Sequence, residues 1–205
     1  MFQITILLLY LLAGIAFALS RLPKFDAKSK LLLALAVAFS AVGILLHAQE
    51  LFTEIHQASG LSVSLAGAVS LIALQLAMIG LIAAIEPTLR GMAAGLLVLA
   101  SIATIPIHSQ ADTAASIGLS WQLQAHILIA MFAYGLLTAG AIVAIFALVQ
   151  DRRLKAGKLS SGNQLFAPLE TTEKLLFTVT AAGFSVLPVS YTHLTLPTKE
   201  SRGCW

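Results

Sequence analysis

The sequence predicts an all-α fold: a polytopic transmembrane helical bundle with five full spans, a partial sixth and the N-terminus outside. Three observations predict it. First, 59% of the 205 residues are hydrophobic and 10% are charged, where soluble domains average about 45–50% and about 25%; the mean hydropathy of +0.93 agrees. Second, the apolar residues fall in six runs, and five of them meet or approach the roughly 20 residues that a helix needs to cross a hydrocarbon core. Third, the connections between the runs alternate between basic and base-free.

The first run covers residues 2–20. Its basic residues, Arg21, Lys24, Lys28 and Lys30, follow it instead of preceding it. A cleaved secretory signal has the reverse order, so the run is expected to stay as a span. The second run is 31–46 and the third 61–85, closed by Glu86-Pro87, since the residue before a proline is pushed out of the helical region. The fourth is 92–107 and the fifth, 125–150, is the longest. A sixth begins at Leu175 and loses its apolar character after Leu187. Thr171 or Thr172 is expected to N-cap it, with acidic residues in its first turn.

Orientation follows from lysine and arginine. The connections after spans one, three and five carry Arg21 to Lys30, then Arg90, then Arg152, Arg153, Lys155, Lys158 and Lys174. The connections after spans two and four carry Glu50, Glu54 and Asp112 and no base. The basic connections are therefore expected in the cytoplasm, which puts the N-terminus outside. Residues 1–187 read as one transmembrane domain. The stretch 188–205, PVSYTHLTLPTKESRGCW, is polar and turn-like, and it resembles a translated sequencing-adapter read-through. It is expected to be a non-native tail on a chain truncated near Leu187, so Tyr191, His193 and Cys204 carry no functional weight.

Composition and motifs remove several function classes. Cys204 is the only cysteine, so no thiol-redox pair or iron–sulfur ligand set exists within one chain. Walker, GxSxG, HExxH and dinucleotide fingerprints do not occur in the sequence, and no basic stripe suggests nucleic acid. Paired carboxylates inside the spans are missing too, which leaves a proton relay or ion pump little to stand on.

Four histidines precede the tail: His47, His56, His108 and His126. All fall on the side opposite the basic connections. His56 and His108 lie in connections, where a histidine is most often simply solvated. His47 and His126 sit at span edges, where an interfacial ring can stay partly wet, yet an ionisable residue in a span is by default a functional candidate. Neutral imidazole suits iron. His126 shares a helix face with Ala130, Ala133, Leu137 and Gly140; small side chains there admit either a flat ring or a second helix. His47 shares its face with Ser40, Gly43, Glu50 and Glu54, a polar stripe expected to emerge outside. Trp121 reads as an interfacial anchor and Gln75 as a hydrogen-bonding residue between helices.

The fifth span, His126-Ile127-Leu128-Ile129-Ala130-Met131-Phe132-Ala133-Tyr134, resembles the cytochrome c assembly family of haem-handling membrane proteins. Arg152-Arg153-Leu154-Lys155, Pro168-Leu169-Glu170, Glu173-Lys174-Leu175-Leu176-Phe177 and Leu46-His47-Ala48 fit the same pattern, and their order is most similar to the inner-membrane branch of YpjD- and HemX-like proteins. The resemblance implies haem held near the outer membrane face between two histidines flanking a tryptophan-rich segment, with His126 matching the first as axial ligand to the haem iron. The second would follow the sixth span, where this chain has its odd tail; His47 is the substitute within the chain. It also implies a non-enzymatic carrier in a bacterial inner membrane, in contact with lipid, apocytochrome or other assembly proteins. Two other functions compete. A b-type cytochrome subunit usually needs paired histidines on facing helices for each haem. A transporter predicts inverted repeats or broken helices at mid-membrane.

Overall fold

The computed structural model describes residues 2–57, 60–61, 65–105, 121–155 and 169–194. Six α-helices account for most of them: α1 (Phe2–Leu19), α2 (Ser29–Ile55), α3 (Leu65–Ala83), α4 (Arg90–Ala103), α5 (Trp121–Lys155) and α6 (Leu169–Leu194). Short 3-10 turns at Pro23–Lys28 and Pro87–Leu89 lead into α2 and α4. A two-residue antiparallel ladder, β1 (His56–Gln57) with β2 (Gly60–Leu61), joins α2 to α3.

The outer surface of the bundle is apolar. Large apolar side chains point outward: Leu45 is 70% exposed, Ile85 79% and Phe177 71%. A soluble monomer rarely leaves such surface in water. The interior is instead rich in alanine, including the fully buried Ala13, Ala36, Ala77, Ala93, Ala100, Ala133 and Ala139. Small residues let helix backbones approach closely, the main source of association where lipid tails are as apolar as leucine. Hydroxyls are satisfied within their own helices, as Ser40 to the Ala36 carbonyl and Thr138 to the Tyr134 carbonyl, both at 2.8 Å.

By length and composition two helical stretches, Pro23–Thr53 and Ala125–Lys155, are long and apolar enough to cross a membrane. Three shorter apolar helices, Gln3–Leu19, Gly67–Ala83 and Pro87–Ala103, accompany them. Helix α4 has only 14 residues, about 21 Å at 1.5 Å per residue. It compensates by burial: Met92, Ala93, Ala94, Leu96, Leu97, Ala100 and Ser101 are all enclosed, between α1 and α3. Helix α5 is the opposite case, with 35 residues. At about 50 Å it exceeds a hydrocarbon core of roughly 30 Å, and its last turn carries Arg152, Arg153 and Lys155.

The basic connections meet at one end of the bundle. Arg21, after α1, donates from Nη1 to the Pro87 carbonyl at 3.1 Å. Arg90 donates from Nε to the Ala84 carbonyl at 3.4 Å, at the C-terminus of α3, where a cation complements the helix dipole. Ala18, Gly91, Arg153 and Thr172 line one cleft at this end.

Several element ends differ from the sequence expectation. Helix α2 continues past Leu46 to Ile55, because Gln49, Glu50, Leu51 and Phe52 sustain a helix beyond the apolar run. Helix α6 starts at Leu169, so Thr171 and Thr172 lie inside its first turns and neither caps it; Thr172 is 2% exposed. The same helix runs through Pro188 to Leu194, whereas the apolar pattern ends at Leu187. His108, the segment 156–168 and residues 195–205 with Cys204 lie outside the described residues, as do the side chains of His56, Trp121, Tyr191 and His193.

Candidate functional site

The end opposite the basic connections holds the two candidate histidines, and the structure treats them differently. His47 is not an interfacial residue at a helix terminus. Helix α2 runs a further eight residues beyond it to Ile55, and the ring is 2% exposed. Its Nδ1 lies 3.1 Å from the Tyr10 hydroxyl on α1, and its Nε2 lies 2.8 Å from Ser70 Oγ on α3. The Tyr10 and His47 rings meet at a centroid distance of 5.8 Å, tilted by 55°. One imidazole therefore ties three helices together.

The expected polar stripe around His47 is a packing face instead. Ser40 is fully buried. A Cβ on Gly43 would lie 2.9 Å from Tyr10 Cε1, so glycine makes the room that the phenol ring occupies. At Ser40 and Gly43 the stripe turns inward, Gly43 against Tyr10 of α1; Glu50 is half-buried and the Glu54 side chain lies outside the described residues. Tyr10 was not among the residues the sequence singled out. Its signal was there: a tyrosine inside an apolar run needs a partner for its hydroxyl.

With both ring nitrogens engaged, a metal would reach His47 only by displacing the Tyr10 or Ser70 hydroxyl. In a neutral imidazole one hydroxyl donates to the bare nitrogen and the other accepts from the N–H. In the protonated ring both nitrogens donate. As placed, His47 fits a structural tie and does not fit an axial ligand.

His126 lies in the second turn of α5 and is partly buried. The face it shares with Ala130, Ala133, Leu137 and Gly140 is lined by small residues and packs on α6. A Cβ on Gly140 would lie 2.8 Å from Thr180 Oγ1, and one on Gly183 2.9 Å from Leu137 Cδ2. His47 bonds to α1 and α3, whereas the His126 face looks toward α6; helix α3 packs against both α2 and α5 and so separates the two rings. Among the described residues no three of His, Cys, Asp and Glu converge to hold a metal ion. Ala133 is fully buried and α6 packs on this face at Leu137 and Gly140, so the small residues there admit a second helix and leave no room for a flat ring; His126 itself stays partly exposed near the start of α5.

Gln75 does not make the interhelical hydrogen bond expected of it. It is 3% exposed, and neither its amide nitrogen nor its oxygen has a partner. The amide lies flat against α5 at Gly135, where a Cβ would come within 2.6 Å of Gln75 Cδ. Gly135 is what lets α3 and α5 close over this side chain.

No curated protein and no solved structure matches the chain. A family model does: residues 27–192 match the model described as cytochrome C assembly protein. That span takes in α2 through nearly all of α6, with both His47 and His126, and more than half of the sequence. The chain belongs to the cytochrome c assembly protein family, a family of membrane proteins with a role in cytochrome c biogenesis.

Proposed function

We propose that this protein is a haem-binding carrier of a bacterial inner membrane, without catalytic activity of its own, that supplies haem for cytochrome c assembly. The observation that carries the proposal is the family match over residues 27–192. The position of His126 supports it at residue level. Its imidazole, partly exposed near the start of α5, would serve as an axial ligand to iron. His47 then holds α1, α2 and α3 together below the site and takes no part in ligation. Bound haem would supply the group that a partner, apocytochrome or another assembly protein, takes up. The ordering of motifs favours the YpjD- and HemX-like branch, and the alternation of basic connections favours an N-terminus outside.

The test is haem content by pyridine haemochrome on matched amounts of purified protein. His126→Ala should lower bound haem at least about tenfold, since even the partner of a metal ligand is worth that much. His56→Ala and His108→Ala should leave it unchanged. Full haem content in His126→Ala would sink the assignment. Topology is tested separately, in a Cys204→Ser background. Single cysteines at Ser160 and Ala115 should react with a membrane-impermeant thiol reagent from opposite sides; reaction from the same side would refute the arrangement of five complete spans.

A further inference from the structure

At the basic end, far from both histidines, α1, α4, α5 and α6 enclose a cleft of about 580 Å³. That is within the roughly 300–1,000 Å³ of ordinary small-molecule sites. Its inner part is apolar, walled by Ile15, Val98, Leu99 and Phe146. Ile15 is 45% exposed, so the cleft opens sideways, toward the surface that faces lipid. Its polar lining is confined to one end: Gln150, Arg153 and Thr172, from the last turns of α5 and the first of α6. Gln150 is 8% and Thr172 2% exposed, so two enclosed polar side chains share the polar end of the channel with Arg153.

We propose that this cleft binds one anionic phospholipid, its acyl chain along the apolar wall and its phosphate at Arg153. The argument is charge complementarity combined with the direction of the opening. The polar end coincides with Arg152, Arg153 and Lys155, where α5 leaves the apolar region. Basic pockets between helices at that depth select anionic headgroups. A planar guanidinium grips phosphate through paired N–H donors. A soluble anion would gain nothing from the apolar wall, and a zwitterionic lipid, whose phosphate is offset by a choline cation that the basic end repels, would gain less from Arg153. No histidine lines the cleft among the described residues, so it is independent of the haem reading.

The test uses the full chain in dioleoyl phosphatidylcholine vesicles, doped with either spin-labelled phosphatidylglycerol or spin-labelled phosphatidylcholine. Electron paramagnetic resonance reads the immobilised fraction of each. The protein should prefer the anionic label about fivefold, the effect of roughly one basic residue at a membrane surface. Arg153→Gln should bring that preference close to unity, and Arg153→Lys should keep most of it. Ile15→Trp, which fills the opening, should remove the excess immobilisation of the anionic label over the phosphatidylcholine label, with circular dichroism confirming that the helices remain. Equal immobilisation of the two labels by the unaltered protein would overturn the proposal. So would an anionic preference that survives Arg153→Gln or Ile15→Trp.

Discussion

His47 and His126 look alike in the sequence, one histidine near the same end of each of two long apolar helices. In the structure they are opposites. His47 is enclosed by three helices and bonded at both nitrogens, to Tyr10 and to Ser70. His126 is partly buried on a face built from Ala130, Ala133 and Gly140. The difference teaches that a histidine inside a membrane bundle is identified by what its nitrogens face. A ring whose two nitrogens are both taken by hydroxyls carries helix packing.

The comparison breaks most readily at His47. Its replacement in His47→Ala strands the Tyr10 and Ser70 hydroxyls in a buried site and opens a cavity. Together these should cost about 2–3 kcal/mol of stability. Tyr10→Phe removes only one hydroxyl and should cost about 0.6–1.5 kcal/mol, the range measured for hydrogen bonds between membrane helices. Denaturation followed by circular dichroism in a mild detergent checks both. Haem content per folded molecule should stay constant in each; a selective loss of haem from His47→Ala would return that residue to the ligand set.

His126→Ala should show the reverse pattern. Stability should fall by less than in His47→Ala, while bound haem falls at least about tenfold. A variant that loses stability and haem in parallel would mean that His126, like His47, is a packing residue.

The helical bundle was legible in the sequence because apolar runs of helical length record where the chain is shielded from water. Residues 2–20 and α1, Phe2–Leu19, differ by one residue. Helix ends were less legible. At Gln49-Glu50 and at Arg152-Arg153 the chain leaves the apolar region while its residues remain good helix formers, so α2 and α5 continue past their hydrophobic boundaries. The site was legible by residue type and illegible by pairing. His47 could be picked out as a histidine near a span edge, but Tyr10 and Ser70 reach it from other helices, and no spacing along one chain encodes that meeting. Gln75 shows the same limit. Its depth was plain from the run around it, yet the absence of a partner depends on Gly135 closing over it from α5.

That enclosure makes Gln75 a second point of contrast with His47. His47 is a buried polar group with both its bonds made; Gln75 is a buried polar group with none. Removing an unpartnered amide should therefore help the fold where removing the bonded imidazole harms it. Gln75→Met keeps the length of the side chain and discards both polar atoms. It should stabilise the protein by about 1 kcal/mol, the lower part of the penalty for a buried group without a partner. Gln75→Ala is the control, since it adds a cavity and loses that gain. Destabilisation by Gln75→Met in the same detergent assay would show that the amide does have a partner in solution, such as an ordered water.

The smallest expected effect lies outside the apolar region, in the first turn of α6. Lys174 Nζ is 2.9 Å from Glu170 Oε1, one helical turn apart, with both side chains exposed. The hydrogen bond from Lys174, and then its charge, hold the Glu170 carboxyl below its ordinary range. A carboxyl with a depressed folded value contributes above its unfolded value and loses that contribution as pH falls through the folded one. The pair should therefore tighten the start of α6 at neutral pH and release it in acid. Salt should weaken it, as it does any exposed ion pair. Amide hydrogen exchange at residues 170–174 should quicken slightly in Glu170→Gln at neutral pH. Below the folded carboxyl's titration, once intrinsic exchange rates are corrected for, the variant and the unaltered chain should exchange alike. A difference that persists in acid would mean that Glu170 orders this turn through its shape or another contact, and that its pairing with Lys174 is incidental.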